Sequence, residues 1–186
     1  MRYLKLLIVL SPFVFAKKAY GQLSMKVSPK EYYDFFNLLV NPDSVNQFNL
    51  ESQASFDDLV SDSASIFTDT ALFSPKDVQF MKLQIGAAQS FRWKPGKILG
   101  ARVISSNKIK EIFTSGVDEG WMMFYKKYGR SFMTYSVPLF TIDKKTCVVY
   151  TARHCGGLCG HGSTSLYKKI NGKWIFIHSI GMIWVS

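Results

Sequence analysis

Two stretches of the chain combine a helical spacing of apolar residues with the same start signal. The segments VSPKE (27–31) and FSPKD (73–77) place serine at the N-cap, proline first in the helix and an acid third. The serine oxygen can accept the amide of that third residue. We therefore predict helices over 29–40 and 75–88. Their inward-facing residues would be Tyr32, Phe35, Phe36 and Leu39 in the first helix, and Val78, Met81, Ile85 and Ala88 in the second.

The last third of the chain is rich in β-branched and aromatic residues, which is typical of strands. The predicted strands occupy 132–140, 146–153, 163–170 and 173–186. Asn171-Gly172 between the last two runs indicates a two-residue type I′ hairpin, and the other connections are also short. These features predict an antiparallel meander. Because both faces of the last run are largely apolar, we predict a central strand with Trp174 in the core and helices covering one face.

The middle of the chain carries weaker signals. Residues 98–105 and 109–114 are predicted as short strands, and 118–128 as a helix with Trp121, Phe124 and Tyr125 on one face. Residues 41–72 are rich in Asn, Ser and Asp, with a flexible loop expected at 61–65, and 48–60 receives no assignment. The whole pattern predicts an α+β fold in which helices pack on a C-terminal antiparallel sheet, by analogy cystatin-like or NTF2-like.

The N-terminal residues 1–21 have the pattern of a secretory signal peptide. A basic start with Arg2 and Lys5 precedes an apolar segment over 6–16, which is too short to span a bilayer. Cleavage is expected after Gly21, with Ala16 as the second option, and no cysteine follows to suggest a lipoprotein. The sequence therefore predicts a secreted or periplasmic protein with a single domain over 22–186 and no transmembrane segment in that domain.

The composition is that of a globular protein with a mildly basic surface. Of the 186 residues, 47% are hydrophobic and 19% charged, which excludes a disordered chain. The net charge is +10, and removal of the four basic residues in 1–21 leaves +6. The lysine pairs Lys126-Lys127, Lys144-Lys145 and Lys168-Lys169 look scattered and solvated. No arginine-rich run with interleaved aromatics is present, so we predict no nucleic-acid partner.

The densest group of chemically active residues is the loop from His154 to His161. Because exported cysteines tend to be oxidised, the main prediction is a structural disulfide between Cys155 and Cys159. The alternatives are free thiols, a metal site made by Cys155, Cys159, His154 and His161, and thiol catalysis. With a disulfide, both histidines would face solvent at the loop edges, and no cofactor is predicted.

Three further candidates are expected to be structural. Cys147 lies in a predicted strand and should be buried, reduced and inert. His178 alternates with apolar residues and is predicted as a core histidine with satisfied hydrogen bonds. The acid pair Asp118-Glu119 precedes a helix, where acids favour the helix dipole, so a hydrolytic role is the minor alternative.

The C-terminal pattern resembles small secreted proteins of Bacteroidota-type bacteria that have no established activity. The resemblance covers roughly 72–178 and implies a compartment and a fold class, without catalytic residues. Its motifs are FSPKDVQFMKLQ, FRWKPGKIL, Trp121 with Phe124-Tyr125, YSVPLF (135–140), Asp143-Lys144, VVY (148–150), CGGLCG (155–160) and NGKW (171–174).

These observations favour an exported, non-enzymatic module that binds a protein or a glycan at the cell envelope. Two alternatives stay open. A small hydrolase would need a cleft between helix and sheet with a perturbed carboxylate or histidine. A metal or thiol module would be built on the loop from His154 to His161.

Overall fold

The computed structural model of the protein describes residues 26–40, 46–56, 59–60, 66–68, 70–181 and 183–186. The predicted signal peptide and the predicted loop at 61–65 lie outside them. The helices are α1 (Pro29–Leu39), α2 (Pro75–Ala88), α3 (Ser106–Ile112) and α4 (Val117–Tyr128). The strands are β1 (Phe48–Glu51), β2 (Ala101–Ile104), β3 (Phe132–Tyr135), β4 (Leu139–Phe140), β5 (Thr146–Gly156), β6 (Cys159–Ile170), β7 (Lys173–Ser179) and β8 (Trp184–Val185). This is an α+β fold, as predicted.

All eight strands of the described chain belong to one mixed sheet. The strand order is β2-β1-β3-β5-β6-β7, while β4 pairs with β5 and β8 with β6. The pairings among β3, β5, β6 and β7 are antiparallel, which confirms the predicted meander. Strand β1, in the segment without an assignment, runs parallel to both β2 and β3. None of the helices described is long and apolar enough to cross a bilayer.

The prediction that the last run is a central strand is wrong, because β7 lies at one edge of the sheet. Trp174 is buried as predicted, with its ring 5.3 Å from that of Phe35 in α1. Phe176, two residues further, is 53% exposed because α1 covers only the start of the strand. Asn171 and Gly172 have φ angles of 50° and 81°, which confirms the predicted hairpin.

Helix α1 covers one face of the sheet with its aromatic residues. The capping box forms as predicted, since the Ser28 amide donates to the Glu31 carboxylate over 2.8 Å. Phe36 stacks on Tyr135 at 4.7 Å, and Phe35 contacts Tyr167 at 5.3 Å. Leu39, predicted to face inward, is exposed because the helix ends there.

Helix α2 is fixed to β4 by a buried amide as well as by apolar contacts. Gln84 donates to the Phe140 carbonyl over 2.7 Å and accepts the Phe140 amide over 2.9 Å. Met81 and Ala88 are buried as predicted, and Phe80 is buried with them. Val78 and Ile85, which were predicted to face inward, are half-buried.

Helices α3 and α4 lie on the other face of the sheet. The predicted strand over 109–114 is wrong: α3 forms there, with Ile109 and Ile112 buried three residues apart. The helix at 118–128 is confirmed as α4, whose Phe124 lies 5.2 Å from Phe132 of β3. Side chains alternate along a strand, so Phe132 and Tyr135 point to opposite faces. Phe132 contacts α4, whereas Tyr135 contacts Phe36 of α1. Helices therefore cover both faces, where the sequence predicted one.

Candidate functional site

The predicted disulfide closes the hairpin between β5 and β6. Cys155 and Cys159 are bonded, with their Cα atoms 5.0 Å apart. The Tyr125 hydroxyl of α4 donates to the Cys155 carbonyl over 2.7 Å and ties the loop to the helix. Gly156 has a φ of 153°, and a Cβ there would lie 3.0 Å from that hydroxyl. The contact between helix and loop therefore requires glycine at this position.

The two histidines of the loop lie on opposite faces of the hairpin. Arg153 pairs with His161 across the strands, and His154 pairs with Gly160. Since side chains alternate, His161 shares the face of Arg153 and not that of His154. His161 is exposed as predicted. The prediction that His154 faces solvent is wrong, because the residue is half-buried and its ring stacks on Phe132 at 4.8 Å.

The structure does not bring together the four ligands of the alternative metal site. Both sulfurs are bonded to each other, and the two imidazoles point away from one another. No group of three or more metal-binding side chains occurs within the described part of the chain. The loop is therefore a covalent closure of the β5–β6 hairpin.

The states of the three cysteines predict how many of them can be alkylated. Denatured, non-reduced protein should take up one alkylating group per chain, at Cys147, and native protein should take up none, as measured by intact mass. Cys147 is fully buried, and burial raises the pKa of its thiol well above the usual range, so reactive thiolate is scarce. Uptake of three groups by denatured protein would contradict the disulfide.

A cleft of about 910 Å³ opens on the same face of the sheet as His154. It lies between α3, the ends of β1, β3 and β5, and the segment that follows β1. Groups that hydrogen-bond and aromatic rings both line it. The polar lining residues are Glu51, Gln53, Ser55, Gln89, Lys110, Thr134, Tyr150 and His154, and the aromatic ones without a polar group are Phe56 and Phe132.

A pair of serines fixes the wall of the cleft that carries Glu51. Ser52, just after β1, accepts the amide of Ser106 over 3.0 Å and shares a 3.2 Å hydroxyl contact with it. The Ser106 hydroxyl also accepts the Gln53 amide over 2.9 Å. These bonds join the end of β1 to the start of α3, which carries Lys110. The two charged groups of the cleft are therefore held on one wall.

The environment of Glu51 disfavours its charge. Burial raises the pKa of the Glu51 carboxyl, although a hydrogen bond with Ser106 and the charge of Lys110 act in the opposite direction. The Thr134 hydroxyl on β3 and the His154 Nε2 on β5 are 3.1 Å apart and share a hydrogen bond. The cleft thus contains a carboxyl of reduced acidity on β1 and an oriented imidazole on β5, with β3 between the two strands.

The floor of the cleft rests on a contact between β5 and β8. The Trp184 indole donates to the Tyr150 hydroxyl over 2.9 Å, and Trp184 also lies 5.8 Å from the His154 ring. Gly162 makes room for this pair, because a Cβ there would be 2.4 Å from the Trp184 Nε1. Two aromatic side chains of the site are therefore supported from the C-terminal strand.

Other residues considered in the sequence lie outside this cleft. Asp118 and Glu119 are exposed in the first turn of α4. The prediction of a core histidine at 178 is wrong, because His178 is exposed on the edge strand. Sequence reasoning missed Glu51, Lys110 and Thr134. Each is an ordinary polar residue in its own segment, and only the pairing of β1 with β3 and the helical form of 106–112 bring them together.

No protein-family model matches the chain, and it matches neither a curated protein nor a solved structure. The resemblance to secreted Bacteroidota-type proteins stays a prediction.

Proposed function

We propose that the protein is an exported binding module that holds a glycan in the cleft beside Glu51 and His154. The observation that carries the proposal is the convergence of hydrogen-bonding side chains from separate segments around aromatic rings in one cleft. Ligand sites are concave, largely preformed and furnished with a few oriented polar groups. A cleft of about 910 Å³ has room for a ligand of several rings.

The lining fits the chemistry of a sugar. A sugar ring offers hydroxyl donors and acceptors on its edge and a C–H face that packs on aromatic rings. Gln89, Ser55 and Glu51 supply donors and acceptors, while the half-buried His154 supplies ring surface. The disulfide between Cys155 and Cys159 is compatible with an oxidising compartment, where envelope glycans occur.

The test is a titration of the purified protein with soluble oligosaccharides, chitotriose and cellotriose, by calorimetry. We expect binding to at least one of them, and Glu51→Gln should weaken it by about tenfold to hundredfold, as for a hydrogen bond to a charged group. The matched control is Glu119→Gln, which makes the same change at an exposed site on α4 and should leave the affinity unaltered. Equal losses in both variants, or no binding, would contradict the proposal.

Hydrolysis of the same ligand is the second candidate, and the raised pKa of Glu51 favours it. A carboxyl that keeps its proton to higher pH can serve as a general acid. In that case the titrated oligosaccharide would be cleaved, and Glu51→Gln would stop cleavage. The rate would fall as pH rises through the pKa of Glu51, because the protonated form is then lost. Binding without released reducing ends assigns the cleft to recognition alone.

A further inference from the structure

Two of the three lysine pairs that look scattered in the sequence meet at one end of the sheet. From Lys144 to Ser186 the chain contains no Asp or Glu. Lys144 and Lys145 precede β5, Lys168 and Lys169 end β6, and Lys173 begins β7. The Lys169 amide donates to the Lys145 carbonyl over 2.7 Å, so the two lysine pairs adjoin. Five lysines therefore lie at the neighbouring ends of β5, β6 and β7.

Four residues of the β6–β7 hairpin form an exposed corner with alternating character. Lys168 lies opposite Ile175, and Ile170 lies opposite Lys173. We call these four residues the hairpin corner. Ile170 is 50% and Ile175 44% exposed, and both lysines are exposed. Each lysine thus has an exposed isoleucine as its cross-strand neighbour.

The hairpin corner faces away from α1. Tyr167 and Trp174 both contact Phe35 of α1, so their side chains lie on the face that the helix covers. Lys168 and Lys173 each adjoin one of them in sequence and therefore point to the opposite face. Among the described residues, no ion pair involves either lysine.

Two acids close to this end of the sheet are already engaged. Glu31 accepts from the Lys144 ammonium on the side of α1. Asp143 accepts the Thr141 hydroxyl over 2.7 Å and the Lys145 amide over 3.0 Å, and the hydrogen bond with Thr141 is the main cause that lowers the pKa of its carboxyl. The field at the hairpin corner is therefore positive.

We propose that the hairpin corner docks on an anionic lipid surface. Lysines near such a surface are drawn to its phosphates, and apolar side chains between them enter the boundary between headgroups and acyl chains. The positive field complements an anionic membrane. The exposed isoleucines distinguish a lipid from a soluble polyanion, which would bind the lysines and gain nothing from Ile170 or Ile175. Docking of this kind would hold the glycan cleft at the membrane and is independent of what the cleft binds.

The experiment is flotation of the protein with vesicles of phosphatidylglycerol mixed into phosphatidylcholine, compared with vesicles of phosphatidylcholine alone. All proteins are purified with the same N-terminus, verified by intact mass, because the apolar segment at 6–16 would bind lipid by itself. We expect binding only to the anionic vesicles and a steep loss with added salt. The double variant Lys168→Gln, Lys173→Gln should bind the anionic vesicles at least about tenfold more weakly.

Two further variants separate lipid docking from general charge. Ile170→Thr with Ile175→Thr keeps β-branched residues and should also weaken binding several-fold, whereas Ile183→Thr, at another exposed isoleucine, should not. Lys126→Gln with Lys127→Gln removes the same charge from α4 and should have little effect. Equal losses from the α4 variant, or binding that tolerates the Ile170 and Ile175 changes and is competed fully by dextran sulfate, would overturn the proposal.

Discussion

Trp174→Ala is expected to lower the free energy of unfolding by about 3–5 kcal/mol, the usual range for a core tryptophan. Trp174 is only 7% exposed, and its ring contacts that of Phe35 at 5.3 Å and that of Phe140 at 5.6 Å. Its removal would leave a cavity where α1, β4 and β7 meet. Urea denaturation followed by far-UV circular dichroism measures the change, since that signal comes mainly from the backbone and reports unfolding without the deleted indole.

The matched control is Phe176→Ala, two residues along the same strand. Phe176 is 53% exposed and keeps one edge-on contact with Tyr167 at 5.7 Å. We expect a loss of less than about 1 kcal/mol, as for surface positions. A similar loss for both variants would mean that the two side chains are equally buried, which would contradict the finding that α1 covers only the start of β7.

Elements whose signals are local could be predicted from the sequence. The serine and proline starts of α1 and α2, the Asn171-Gly172 turn and the bond between Cys155 and Cys159 all depend on residues within a few positions of each other. Steric preferences, capping bonds and ring closure determine such features without reference to the rest of the chain.

Features that depend on distant pairings could not be predicted. Strand β1 has only four residues and becomes a strand between two parallel neighbours that lie far along the chain. The apolar residues of β7 led to the prediction of a central strand, although the burial of its side chains depends on how far α1 extends over it. The helix α3 is different, because its signals were present in the sequence: Ile109 and Ile112 are three residues apart, and so are Lys108 and Glu111, which form an ion pair at 2.6 Å in the structure.

The candidate site was the least predictable part, because it has no motif. Glu51 comes from β1, Lys110 from α3 and Thr134 from β3, and two of these elements had no correct assignment. His154 was noticed for its neighbours in the loop, yet its contacts are with Phe132 and Thr134 across the sheet. The residues that line this cleft are brought together by the strand order, so they have no fixed spacing in the sequence.

Gly162→Ala is expected to destabilise the protein by about 1–3 kcal/mol, because the new methyl group overpacks the contact below the cleft. The Cβ would lie 2.4 Å from the Trp184 Nε1 and 2.6 Å from the Tyr150 hydroxyl, which are themselves hydrogen-bonded. Tyr150 is almost fully buried and cannot move without disturbing β5. Gly157→Ala, with only Val117 Cγ1 at 3.8 Å, is the control and should change stability by less than about 0.5 kcal/mol.

A double-mutant cycle with Trp184→Ala identifies the cause of the Gly162 effect. Without the indole, the methyl group still meets the Tyr150 hydroxyl but no longer the Trp184 ring, so Gly162→Ala should cost at least about 0.5 kcal/mol less than in the wild-type background. The same variants should alter oligosaccharide affinity, since Trp184 supports both Tyr150 and His154. Strictly additive costs would show that Trp184 does not lie over Gly162, and the floor of the cleft would then lack its support from β8.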